Sequence, residues 1–167
     1  RGGYRVLAVD HPERGRVESW PEGVEDCPLD LEAFAQAPAS QAHFRGVVLE
    51  RLAGETLSDF VIINNAAVQI LEPLGETPYE GWARSMAVNS FAPLKMIETF
   101  LPELEHTGGR VVNLSSVHAR LTKAGFAAYA ASKAALESLT RTCALELSAR
   151  GITVNAVAPG PVLTDNF

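Results

Sequence analysis

Cysteine is nearly missing from this chain: Cys27 and Cys143 are the only two in 167 residues, far apart and without CxxC spacing. Two such thiols make neither a disulfide framework nor a zinc site, so no metal is expected. Both lie in apolar stretches and read as buried core thiols, which fits a reducing, cytoplasmic compartment. Positive charge is also in short supply. Fourteen Lys and Arg face twenty Asp and Glu, for a net charge of −6 and a pI near 5.2. An acidic surface of this kind attracts neither nucleic acid nor an anionic membrane. No apolar run reaches the roughly eighteen residues of a membrane helix, and no signal peptide is visible. An initiator methionine is lacking too. Arg1-Gly2-Gly3-Tyr4 runs straight into β-rich sequence, from which a start inside a fold is expected.

What remains is the make-up of an ordinary globular protein, 47% hydrophobic and 20% charged, long enough for one domain over 1–167. Strand and helix patterns alternate along it. Residues 4–9 are β-rich and end at Asp10, and 11–25 is a Pro-, Gly- and charge-rich loop. A short strand in 25–31 ends at Asp30. Helical spacing follows over 41–53, with Gly54 as C-cap. Residues 60–63 form a continuous apolar run, as a strand buried on both faces requires. A long helix is expected over 79–101, with Thr77-Pro78 as cap and first-turn proline. Then come a strand at 110–114, an Ala-rich helix over 126–149 stopped by Gly151, and a strand at 152–157. Such alternation implies right-handed βαβ units and a doubly wound parallel sheet with helices on both faces. Ligands then bind beyond the carboxyl ends of the strands. Asp10, Asp30, Asn64-Asn65, Ser115-Ser116 and Pro159-Gly160 stand at those ends and describe a cofactor crevice.

The chemistry concentrates in Tyr129-Ala130-Ala131-Ser132-Lys133. Tyr129 and Lys133 are four apart and share one helix face. A free phenol titrates at about 10, and a nearby cation favours its phenolate and makes it usable as an acid/base. The same spacing also occurs in plain amphipathic helices, so context has to decide. Ser116 ends a strand thirteen residues before Tyr129, where its hydroxyl could polarise the same substrate carbonyl. Asn64-Asn65-Ala66-Ala67 follows one buried strand and Pro159-Gly160-Pro161-Val162-Leu163-Thr164 another, with Val88-Asn89 in the helix between.

NNAA, VN, NLSS, YAASK and NAVAPGPVLT, in this order and spacing, resemble the classical short-chain dehydrogenase/reductase family, over nearly the whole chain. The resemblance implies a Rossmann-like α/β fold and an oxidoreductase that moves a hydride between NAD(P) and an alcohol or ketone. It implies Tyr129 as the acid/base, Lys133 as the cation that aids it and holds the nicotinamide ribose, and Ser116 as a hydrogen bond to the substrate oxygen. Ser115 is then structural, and Asn89 anchors a water beside the lysine. Asn65, Ala66 and Ala67 pass the cofactor ribose (Ala67 replaces the usual glycine). Asp30 and Leu31 match the adenine contact. Pro159, Gly160, Val162 and Thr164 match the segment that holds carboxamide and pyrophosphate. The Gly-rich turn after the family's first strand is absent, and Gly2-Gly3 does not fit it. The chain is therefore expected to lack the first βα unit and the final strand, and on its own to bind cofactor weakly.

Asp10, a carboxylate at a strand end, favours NAD over NADP, because it accepts from ribose hydroxyls and repels a 2′-phosphate. Arg14 and Arg16 read as solvated loop charges. Gln69 and His118 resemble pocket residues of 3-hydroxybutyrate dehydrogenases, and His118 also resembles glucose dehydrogenases. Phe126 stands where the hydroxybutyrate type carries a lysine, and Arg120 or Lys123 could substitute. Trp82, Met86 and Ile97 read as packing residues, and His43 and His106 as surface residues. A non-catalytic relative would have lost Tyr129 or Lys133; a sugar-nucleotide epimerase or dehydratase would share the tyrosine helix but not NNAA and PGPVLT. A homodimer or homotetramer on the two long helices is expected. Phe91, Met96, Ile97 and Phe100 on one, and Leu136, Leu139, Cys143 and Leu147 on the other, exceed what one buried face needs.

Overall fold

A computed structural model of the chain describes residues 4–13 and 20–161. The chain is an α/β protein with parallel strands and flanking helices, as the alternating pattern implies. The strands are β1 (Val6–Ala8), β2 (Val24–Asp26), β3 (Val61–Asn64), β4 (Arg110–Leu114) and β5 (Thr153–Val157). They form two parallel ladders, β1-β2 and β3-β4-β5, in place of one continuous sheet. Among the described residues no strand joins the two.

Register shows how the larger sheet is used. Ile62, Val111 and Val154 stand in one row across β3, β4 and β5, and all three are buried. They meet Ile97, Phe100, Leu104 and Leu147 from the helices in the main core cluster. The opposite parity is open, so β3 is buried on one face and not on both as expected: Val61 and Val157 are exposed, and Ile63 is 64% exposed. Asn64 and Asn113 share the row at the carboxyl end, and the Asn64 amide donates to the Asn113 Oδ1 at 2.8 Å.

Several boundaries differ from expectation. The second strand ends at Asp26, and Asp30 opens a helix: its Oδ1 accepts from the N–H groups of Glu32 and Ala33. That helix, α1 (Leu31–Gln36), is cut short by Pro38, which starts α2 (Pro38–Arg51) at a position where a missing N–H costs nothing. Phe34 is fully buried, edge-on to Phe44 at 5.7 Å, and Phe44 meets Phe100 at 5.9 Å. Edge-on packing of this kind suits aromatic pairs. The expected helix 79–101 is a series: α3 (Tyr79–Met86), a π-helical turn (Ala87–Phe91), α4 (Ala92–Thr99) and α5 (Leu101–Thr107). Pro78 caps the first piece itself, with no side-chain bond from Thr77. Pro93 and Pro102 open the later pieces, each supplying no backbone donor. The long Ala-rich helix is α6 (Ala127–Leu147); one tight turn, Ser148–Arg150, follows it, and Gly151 ends the helical run with φ +74°, where a side chain would strain the backbone.

Of the eight apolar residues that exceed one buried face by sequence, Met96, Ile97, Phe100, Leu136 and Leu147 are buried within the chain itself. Leu139 and Cys143 are half-buried, and Phe91 is exposed. Trp82 and Met86 are half-buried; His43 and His106 are exposed. No described helix is long and apolar enough to cross a membrane.

Candidate active site

The site forms where β4 runs out and α6 begins. Buried Ser115 and Ser116 follow β4 directly, and the backbone there is pinned to the strand next door: Ser115 N–H donates to Val157 O at 2.7 Å and Val117 N–H to Pro159 O at 3.0 Å. Pro159 therefore belongs to the same edge as the serines, with exposed Gly160 after it. Ser116 Oγ accepts from the His118 N–H at 3.2 Å, which engages one lone pair and leaves its proton to give. The His118 ring stacks on Phe126 at 4.2 Å and stands edge-on to Tyr129 at 6.4 Å. One short turn thus holds the Ser116 hydroxyl and sets the His118 ring against the tyrosine.

Tyr129 lies in the first turn of α6, buried but lining a cleft of about 500 Å³ with Ala67, Val68, Gln69, Ile70 and Arg84. Lys133, one turn further, is only 2% exposed. Its Nζ donates to the Leu114 carbonyl at 2.6 Å and lies 5.9 Å from the centre of the Tyr129 ring. Burial pulls its ammonium down to about 8 from the ordinary 10.5, so the group still carries its charge near neutral pH.

Asn89 is fully buried in the π-helical turn. Its Oδ1 accepts from Val68 N–H at 2.8 Å, while its Nδ2 donates to Val68 O and to Ser132 Oγ, both at 2.9 Å. The side chain thus staples the loop after β3, with Ala66, Ala67 and Gln69, onto α6. Wide helical turns of this kind recur at functional sites. Pro93, four residues on, brings no N–H to the Asn89 carbonyl, which leaves that oxygen without its usual α-helical donor.

The cofactor candidates fall at strand ends. Asp10 follows β1, half-buried, with Oδ1 accepting from the His11 N–H. Asn65 and Ala66 are exposed just beyond β3 and Ala67 is half-buried. Asp30 and Leu31 stand at the mouth of α1, where the Asp30 carboxylate is engaged as its cap. Val162, Thr164, Arg14 and Arg16 lie outside the described residues. The strand-end carboxylate, the open backbone after β3 and the buried cation fit a dinucleotide and its nicotinamide ribose.

Sequence reasoning missed three contributors. Arg84 lines the cleft and pairs with Glu32 of α1 at 3.4 Å, a meeting of elements far apart in sequence. Ser85, Ser90 and Ser132 form the buried polar seam around Asn89, joining positions more than forty residues apart. Glu137 is different, because it sits four residues beyond Lys133 on the same face, and that spacing was legible.

A family model described as short chain dehydrogenase matches residues 32–167. D-beta-hydroxybutyrate dehydrogenase of Rhizobium meliloti is 35% identical over 128 residues, covering 76% of this chain and 48% of that protein. A short-chain dehydrogenase structure from Streptomyces avermitilis superposes with a TM-score of 0.81 at 30% identity, covering 99% of this chain and 59% of that one. A 4-hydroxyisoleucine dehydrogenase complexed with NADH (TM-score 0.77, 25% identity, 97% and 66% covered) is also similar. So is a metagenomic short-chain oxidoreductase in complex with NADP (0.71, 32%, 83% and 59%). The chain spans about half to two-thirds of the length of these proteins.

Proposed function

The chain belongs to the short-chain dehydrogenase family, and on that premise we propose that it serves an NAD(P)-dependent oxidoreductase acting on an alcohol or ketone. One observation carries the reading: a buried lysine stands one turn from a tyrosine that lines the cleft, and the short turn that starts at Ser116 sets the His118 ring against that tyrosine. When bound, the nicotinamide supplies or takes the hydride. The protein supplies position and the proton path. Tyr129 exchanges the proton with the substrate oxygen, Ser116 donates a hydrogen bond to that oxygen, and Lys133 provides the charge that stabilises the phenolate. Asn89 fixes the loop beside the cleft, and its backbone carbonyl is the group suited to hold a water near Lys133.

Asp10, Asp30, Leu31, Asn65, Ala66, Ala67, Pro159 and Gly160 would hold the dinucleotide, with Lys133 on the ribose. The Asp10 carboxylate favours NAD over NADP. NADH is bound in one of the similar structures and NADP in another, so the preference rests on Asp10 alone. For the substrate we favour a small hydroxy acid. Gln69 lines the cleft, His118 stands against Tyr129, and the Lys123 ammonium lies 4.7 Å over the Phe126 ring, where it can meet a carboxylate. Arg120 is already engaged elsewhere, which leaves Lys123 as the cation for that task. A homodimer or homotetramer remains our proposal, now resting on exposed Phe91 and Leu145. A cytoplasmic home is part of the same proposal, supported by the free thiols Cys27 and Cys143.

The test is turnover of the full-length protein, followed by the near-ultraviolet absorbance of the reduced nicotinamide, with NAD or NADP and a panel of hydroxy acids, sugars and simple alcohols. Tyr129→Phe should remove nearly all turnover and leave cofactor affinity close to the parent's. Undiminished turnover in that variant would overturn the assignment.

A further inference from the structure

The face of α6 that meets β4 is unexpectedly polar. Lys133, Glu137 and Thr140 lie along it at helical spacing, and all three are buried. Lys133 reaches the Leu114 carbonyl, and Thr140 accepts from the Asn113 amide at 2.9 Å. Glu137, between them, is 6% exposed. A carboxylate so far out of water is costly unless paired, and an apolar side chain would fill the place at less cost, so its presence calls for a geometric reason.

Its two oxygens show one. Oε1 accepts from Ser115 Oγ and Oε2 from Arg120 Nε, each at 3.0 Å. Ser115 and Arg120 bracket the turn that holds Ser116 and His118. Glu137 comes from the helix that holds Tyr129 and Lys133. A single carboxylate therefore grips both ends of one reacting segment from the body of the other. Arg120 gains no burial in return: its side chain stays 72% exposed, with its Nε–H turned inward to the carboxylate.

We propose that Glu137 is a positioning residue, acting through Arg120 and Ser115 to hold the Ser116 hydroxyl and the Tyr129 phenol in reach of one substrate oxygen. The proposal rests on the reading of those two as reacting groups. Their separation governs rate, since displacement of a catalytic group by a fraction of an ångström already weakens the reactive geometry. Cofactor contacts at β1 and β3 are untouched by the clamp, and Pro159 is held to the same turn by a backbone bond of its own, so loss of the clamp should fall mainly on turnover.

Arg120→Ala, Glu137→Gln and their double variant, made in the full-length protein, test this together with Arg120→Lys. Each single change should lower kcat about tenfold with the KM for the dinucleotide within about twofold. The double should lose no more than the worse single, because the pair acts as a unit. Arg120→Lys, which restores a donor to the same oxygen, should recover kcat to within about threefold. Additive losses, unchanged kcat in the single variants, or a rise in substrate KM at constant kcat for Arg120→Ala would overturn the clamp; the last would make Arg120 a substrate contact. Should Glu137→Gln fail to fold, the exposed Arg120 pair of variants decides alone. Tyr129→Phe, run alongside, separates the two failures: if it is active, the functional reading falls as well, and if it is inactive while the clamp variants keep their kcat, only the clamp falls.

Discussion

Replacing Lys133 by methionine removes a cation that the fold has almost wholly taken out of water. Burial lowers its protonation midpoint from 10.5 to about 8. At about 1.4 kcal/mol for each tenfold change in the equilibrium, that is a penalty of roughly 3 kcal/mol on the charged form. The charge-assisted bond to the Leu114 carbonyl works the other way, so this figure is a ceiling. The sign follows from proton counts. Below pH 8 the lysine is charged in both folded and unfolded chains and the full penalty applies. Between 8 and 10.5 the unfolded chain binds more protons than the folded one, so stability rises with pH; above 10.5 the penalty is gone. Methionine has a similar length and no such dependence. Urea unfolding of the full-length parent and Lys133→Met at several pH values from 7 to 10.5 isolates the effect, because titrations away from Lys133 cancel in the difference. The parent should gain up to about 3 kcal/mol on the variant across this window. Parallel curves would show that Lys133 is not desolvated and would refute the burial penalty.

Three other outcomes are expected. Asp10→Ser should raise the kcat/KM ratio of NADP to NAD about fivefold, the worth of roughly 1 kcal/mol between charges near the surface, and a parent that already prefers NADP would refute the assignment. Asn89→Ala leaves the Val68 N–H and carbonyl without partners and should cost about 2–4 kcal/mol in denaturant unfolding, with a higher KM for the dinucleotide; intact KM would confine Asn89 to a structural role. Phe34→Ala, in a fully buried site edge-on to Phe44, should cost about 3–5 kcal/mol by the same measurement while leaving the pH profile of turnover unchanged.

The elements that carry the chemistry were legible in the chain because their signals are local. A β-branched apolar run announces β3 and β4, an Ala-rich stretch stopped by a glycine announces α6, and Tyr129 and Lys133 share a face by spacing alone. The boundaries that went wrong also have local causes of a subtler kind. Asp30 caps a helix that Pro38 ends within two turns, too short for periodicity to show. Pro93 and Pro102 divide one apolar stretch into pieces without interrupting its pattern. Spacing along the chain was silent on every contact between distant elements. That the Asn89 amide closes on Val68 and Ser132, that Lys133 reaches the last carbonyl of β4, and that Glu137 grips both Ser115 and Arg120 depend on how α6 lies across the strand ends. Side-chain type announces a donor or an acceptor; only packing, by excluding water from the seam between α6 and β4, decides which partner each must take.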